Sequence, residues 1–447
     1  MNRQHEVKLE MGDNNMKLTR RAVIGGAVLA TTGLTNVSLA LAADPIKVWF
    51  HGGKGDERDQ MNKLFAAWNA ANPDMQAALE IQPEGAYNEQ VQAAAASGGL
   101  PDLLDFDGPN YANYVWSGYL QPLNGLISDA TIADVIPSLI AQGTYAPDGK
   151  LYSLGMGDSG LAIWGRKSLL TKAGVRIPKG VDDAWTMAEF EDALAKLQKV
   201  EGIKYALDIK ANYGQGEWYT YGFSPIVQSF GGDLIDRTTW KAEGAINGPK
   251  AVEAMMHFAG WIKAGYVAPK SEGDDSFYGK KISALSFVGH WMWPAHSKAL
   301  GDDLVLLPMP NWGGKHVTGN GGWCWGITKG SKNAAATGKL LDFFMSTKNV
   351  GDMMQAMGGV PGVKSAAANV DLYKKGGPLS LYLDQLSSGM GYPRPAHPAY
   401  PTITAAFAKA VADMIDGKDV KASLDEAAKK IDQDISDNKG FPPFGKA

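Results

Sequence analysis

The feature that most constrains this chain is a repeated order of short β-rich runs, glycine turns and helical patterns, which begins near residue 46 and restarts past residue 150. Ile46-Lys47-Val48-Trp49-Phe50 ends in His51-Gly52-Gly53-Lys54-Gly55, and Asp56 to Asn69 then carries Met61, Leu64, Phe65 and Trp68 at helical spacing. Ala77 to Ile81 reads as a second strand, Gln90 to Ser97 as a helix, and Pro101 to Phe106 as a third strand opening into Asp107-Gly108-Pro109-Asn110. Such alternation predicts βα units on a mainly parallel sheet. The pattern restarts at Leu151 to Leu154 and Leu161 to Trp164, followed by a helix over Met187 to Val200, a strand near Tyr205 to Ile209 and a helix over Val252 to Lys263. Later, Leu304 to Pro310 and Gly326 to Thr328 are strand-like, while Lys339 to Ser346 and Ile403 to Asp416 are helical. No Pro/Ser linker separates the two sets, so the expectation is two α/β lobes between which the chain crosses more than once. At 447 residues there is volume for both cores.

The formal net charge is −4 and no Lys/Arg stripe appears, so the phosphate-neutralising footprint of a nucleic-acid binder is missing. Cys324 is the single cysteine, which excludes an intrachain disulfide and a cysteine-based metal cluster. At the N-terminus, Thr19-Arg20-Arg21 precedes an uncharged run from Ala22 to Ala42 that closes in Ala40-Leu41-Ala42. Paired arginines, a mildly apolar core and a small-x-small ending predict a twin-arginine signal peptide over 1–42 and a mature chain exported to the periplasm. Thr31, Thr32, Gly33, Thr35 and Asn36 make the run too weakly apolar for a membrane anchor.

Several motifs tempt and are declined. Gly155-Met156-Gly157-Asp158-Ser159-Gly160 satisfies a dinucleotide fingerprint, but strand-like Leu161 to Trp164 follows where a helix N-terminus is needed. His51, Asp107 and Ser159 stand in a protease order that belongs to β-barrels, not βα units. His290 and His296 lack a third ligand at metal-like spacing, so neither metal nor cofactor is expected. Asp105, Asp107, Asp158 and Glu217 leave two readings open: acid and nucleophile of an exported glycoside hydrolase, or acceptors for sugar hydroxyls. Aromatic placement is more informative. Tyr213 to Tyr219 (with Glu217 and Trp218), Gly289 to Trp293 and Gly321-Gly322-Trp323-Cys324-Trp325 interleave flat rings with glycine and polar groups. A sugar has an apolar CH face for such rings and a hydroxyl rim for acids and amides. Trp49 and Trp261, by contrast, sit in strand and helix patterns that suit a core.

Taken in order, the chain resembles the extracellular solute-binding proteins of ABC sugar importers, the family that includes maltose-binding protein. The resemblance runs through Val48 to Lys54, Ala95 to Leu103, Ser117 to Leu123, Gly149 to Tyr152, Leu169 to Gly174 with Trp185-Thr186, Phe277 to Lys281, Gly289 to Trp291 and Gly321 to Trp323. It implies a two-lobed periplasmic-binding-protein fold of type II with several hinge crossings and a ligand cleft between the lobes. The lobes would be 43–157 with 310–365, and 158–309 with 366–447. It also implies a monomer that closes on a carbohydrate, a di- or oligosaccharide first and a monosaccharide or polyol next, and delivers it to an ABC permease. A sensor subunit serving a membrane receptor is the alternative within this class.

By position, Lys54 matches a sugar-contacting lysine, Phe106 an aromatic after the Pro-Asp strand, and Asp158 an acidic ligand at the lobe crossing. Glu217 and Tyr219 match an acid and aromatic two apart, Trp291 a stacking tryptophan, and Arg394, in Tyr392-Pro393-Arg394-Pro395, a contact found in related binders. His51, Asp107, Asn110, Trp218, Trp293, Gly322 and Trp323 complete the expected contact set from the same segments. Pro109, Asn110, Thr404 and Ala408 stand where maltose-binding protein has an acid, an arginine, an aromatic and an arginine, which puts malto-oligosaccharide specificity in doubt.

Overall fold

The computed structural model describes residues 44–53, 55–83 and 87–444; Lys54 and the expected signal peptide lie outside the described residues. Ile46–Phe50 forms the first strand because Ile46, Val48 and Phe50 alternate inward while Lys47 stays exposed. The helix Gly55–Ala71 then buries Met61, Leu64, Phe65 and Trp68, as its spacing predicts. Ile46–Phe50 pairs in parallel with Ala77–Ile81 on one side and Leu103–Asp107 on the other. Trp323–Ile327 completes this first sheet antiparallel to Leu103–Asp107.

The second sheet runs Leu304–Leu307, Leu161–Arg166, Ser283–Gly289, Tyr205–Asp208. Only the pairing of Tyr205–Asp208 with Ser283–Gly289 is parallel; both pairings of Leu161–Arg166 are antiparallel. The expected mainly parallel arrangement therefore holds in the first sheet and fails in the second. Strands that finish at the cleft, such as Leu103–Asp107 and Ser283–Gly289, lie beside strands that enter from it. Leu161–Arg166 and Trp323–Ile327 each begin there and run away from it, opposite to their neighbours.

Gly157–Asp158 and Val360–Pro361 form a two-stranded antiparallel ladder where the chain passes between the sheets. A Cβ on Gly157 would lie 2.3 Å from Met354 Sδ and 2.9 Å from the Val360 carbonyl, so glycine is required for these strands to approach. The glycine-rich run thus serves a strand crossing, consistent with declining it as a nucleotide loop. Thr318–Asn320 pairs with Gly391–Pro393, and the Leu161 amide donates to Thr318 Oγ1. Helix Tyr400–Ile415 packs on Val420–Asp437 and on Glu217–Ser229. Glu217–Ser229 is buried on almost every side, which explains why Gly222 and Pro225 are tolerated inside it.

Among the described residues, no helix is long and apolar enough to cross a membrane.

Candidate functional site

The two sheets present their cleft ends to a cavity of about 340 Å³. On the first wall, His51 directly follows Ile46–Phe50 and Asp105 lies on the adjacent strand Leu103–Asp107. The Asp105 carboxylate accepts from the His51 amide at 3.1 Å and meets His51 Nδ1 at 2.5 Å, while Glu57 lies 3.4 Å from Nε2. Burial works against a charged His51, but Asp105 and Glu57 outweigh it and hold the imidazole well above its usual pKa. The Trp323 ring stacks on His51 at 3.8 Å and 6°, with the Tyr87 ring edge-on to Trp323 at 5.5 Å. Gly321, at φ 91, makes the turn that brings Trp323 into place.

On the facing wall, Glu217 opens its helix, and Trp218 follows with its indole N–H on the Ile209 carbonyl at 3.0 Å. Trp291 stands edge-on to Trp218 at 5.8 Å and tilted against Tyr221 at 6.1 Å. Its ring folds over Gly289, where a Cβ would sit 2.0 Å from it. Flat rings thus line both walls, each beside carboxylates.

Arg394 ties the walls together. Its guanidinium donates to both Asp107 oxygens, at 2.6 and 3.1 Å, and also to Glu217, while lying 4.7 Å over the Tyr221 ring. Tyr400 and Thr404 donate to Glu217 as well, the latter at 2.7 Å. Burial, with the nearby Asp107 charge, pushes the Glu217 carboxyl up to about 7 against the opposing pull of Arg394. Beside this bridge a polar chain runs from Tyr221 O–H to Ser159 Oγ (3.0 Å), to His290 Nε2 (3.0 Å), and from His290 Nδ1 to the Met357 carbonyl (3.3 Å). Burial lowers His290 to about 4, so it is neutral and Ser159 donates to it.

A model of bacterial extracellular solute-binding proteins matches residues 63–377. This chain belongs to that family. Among solute-binding relatives, the mannitol-binding protein of Pseudomonas aeruginosa is 25% identical over 186 residues, 41% of either chain. The solute-binding protein of Thermotoga lettingae bound with α-D-tagatose shares the fold at a TM-score of 0.75, with 19% identity over 87% of this chain and 99% of that one. The cyclic α-maltosyl-1,6-maltose binding protein of Arthrobacter globiformis superposes at 0.68, with 23% identity over 88% and 99%. The two-lobed α/β architecture expected from the sequence is therefore that of the solute-binding family.

Of the expected contacts, His51, Asp107, Asp158, Glu217, Trp218, Trp291, Gly322, Trp323 and Arg394 line this cavity. Four others lie away from it. Phe106 is fully buried against Tyr114 in a satellite core, because its side chain points to the sheet face opposite the cleft end. Asn110 is buried and donates to the Asp107 carbonyl, bracing the turn. Tyr219 points across its helix to the Ala211 carbonyl, and Trp293 stacks on Trp164 behind the second sheet. Asp158 lines the cleft, but its oxygens accept from Ser138, Ser159, Asn320 and Gly321, so it fastens the crossing and does not offer itself to a solute. Sequence reasoning does not reach Tyr87, Tyr221, Tyr400 and Thr404, since only folding brings Tyr87 to the Asp105 carbonyl, Tyr221 to Ser159 and Arg394, and Tyr400 and Thr404 to the Glu217 carboxylate.

Proposed function

We propose that this protein is the carbohydrate-binding component of an ABC importer, holding its sugar between two lobes that close about the Gly157–Asp158 and Val360–Pro361 crossing and presenting the closed form to a membrane permease. The observation that carries this is the pairing, on both cleft walls, of flat rings with carboxylates: Trp323 beside His51 and Asp105, Trp218 and Trp291 beside Glu217. Rings take the CH faces of a sugar while carboxylates accept from its hydroxyls. The chain acts as a periplasmic monomer after export through its twin-arginine signal. The moving lobes are 43–157 with 310–365 and 158–309 with 366–447, strand Thr318–Asn320 travelling with the second because it pairs with Gly391–Pro393.

Among the described residues, carboxylates outnumber cations in the cleft. Glu57, Glu89, Asp105, Asp107, Asp158 and Glu217 line it among the described residues, against Arg394 and His51. Uronic acids and sugar phosphates are thereby disfavoured, and the ligand is an uncharged sugar or polyol.

The raised pKa of Glu217 supports a second reading, a glycoside hydrolase with Glu217 as general acid. Against it, Asp107 and Glu217 share one guanidinium, which leaves neither carboxylate poised for an anomeric carbon. A thermal-shift panel of neutral mono-, di- and trisaccharides, alditols and glucuronate tests the first reading. A neutral ligand at 100 times its dissociation constant should add about 2.7 kcal/mol. Chromatography of that ligand after overnight incubation should return it intact, and turnover would decide for the hydrolase.

A further inference from the structure

Five of the 17 methionines line this one cleft. Met353, Met354 and Met357 come from helix Thr347–Met357, Met61 from the helix Gly55–Ala71 packed against it, and Met156 from the approach to the crossing. The Met354 thioether lies over the crossing itself, where a Cβ on Gly157 or Gly359 would meet its sulfur at 2.3 or 2.6 Å. Phe50 and Trp325, stacked at 5.9 Å and 13°, line the same cavity. These elements differ from those that carry the acid-rich bridge: Asp107 ends a strand of the first sheet, Glu217 opens a helix, and Arg394 follows Gly391–Pro393.

The polar groups beside the methionines are already engaged. His290 holds Ser159 and the Met357 carbonyl, Asp158 has its four donors, and Glu57 faces His51. A thioether donates nothing and accepts weakly, so a sugar hydroxyl against this wall would leave water without replacing its hydrogen bonds. An apolar group there gains contact with polarisable, adaptable side chains.

We infer that the ligand is amphipathic: a glycoside whose sugar is held at the carboxylates and whose apolar aglycone, an aryl or short alkyl group, lies on the methionine wall. This rests on the carbohydrate reading above and names the ligand class within it.

The test is calorimetric titration of the mature chain with matched methyl and phenyl glycopyranosides of glucose, galactose and mannose in both anomers, alongside the free sugars and mannitol. At least one phenyl glycoside should bind about tenfold or more tighter than its methyl partner, the gain of burying one phenyl group. Met354→Gln and Met357→Gln should each shrink that phenyl-to-methyl ratio. Free sugars that bind while no phenyl glycoside outdoes its methyl partner would overturn the inference and leave the carbohydrate reading standing. A ratio unchanged in both variants would also overturn it. Binding by none of the compounds would overturn the inference, and the thermal-shift panel with its di- and trisaccharides would then decide the carbohydrate reading separately. Should a variant fail to fold, the wild-type ratio alone decides.

Discussion

The first wall of the cleft carries its polar groups at the ends of paired strands, whereas the facing wall carries them at a helix start and on a short turn after a strand. His51 and Asp105 are fixed by each other and by their ladder, within one sheet. Glu217 instead depends on Tyr400 and Thr404 from a helix nearly two hundred residues later in the chain, and on Arg394. The first wall is set within one sheet, and the second is an assembly whose geometry follows from how separate elements dock. Arg394 is the joint between the two kinds of order, since it grips Asp107 on one and Glu217 on the other.

Removing that joint should have the largest effect. Arg394→Ala leaves the buried Asp107 and the half-buried Glu217 without their cation, and loss of one partner from a buried ion pair costs about 3 to 5 kcal/mol. Chemical denaturation should show that loss, and small-angle scattering should show a larger radius of gyration for the ligand-free variant. An unchanged radius would mean the bridge does not hold the walls together.

Phe106→Ala tests the first wall from behind. The ring is fully buried in the satellite core, so truncation should cost about 3 to 5 kcal/mol of stability. Sugar affinity of the folded fraction should stay close to wild type. A selective loss of affinity would return Phe106 to the contact set.

Glu217 gives the second wall a pH signature. Its carboxyl is raised from 4.5 to about 7, so over that window the folded chain keeps a proton that the unfolded chain releases. Stability should therefore fall as pH rises from about 4.5 to 7, by of order 3 kcal/mol if the whole shift is expressed. Glu217→Gln should flatten this slope in denaturation curves measured at half-unit steps; an identical slope in the variant would assign the proton elsewhere.

Trp291→Ala should produce the smallest change and the most local one, a loss of about 1 to 3 kcal/mol in binding with folding retained. If Trp323→Ala costs the same in affinity, both rings sandwich the sugar. If it also lowers the pKa of His51 in a proton NMR titration, stacking contributes to the first wall's electrostatics.

Much of the frame was legible because it rests on local rules. Alternation marked Ile46–Phe50, and helical spacing marked the helix at Met61 to Trp68. The aromatic runs at 213–219, 289–293 and 321–325 reached the cleft as groups, but not residue by residue. Trp218 and Trp291 face it while Tyr219 and Trp293 do not, because on a helix or tight turn adjacent side chains point in different directions.

The sequence by itself determined that the chain builds two α/β lobes with ring-rich, acid-bearing loops, since periodicity and turn residues act over a few positions. Only the tertiary structure decided which acids remain available to a solute. Asp158 is consumed by four donors from three separate segments, whereas Asp107 and Glu217 are oriented by an arginine that lies 287 and 177 residues away along the chain and keep lone pairs for a solute. Hydrogen bonds and ion pairs are short-ranged in space and indifferent to sequence distance, so the state of a buried carboxylate is set only when the lobes have met.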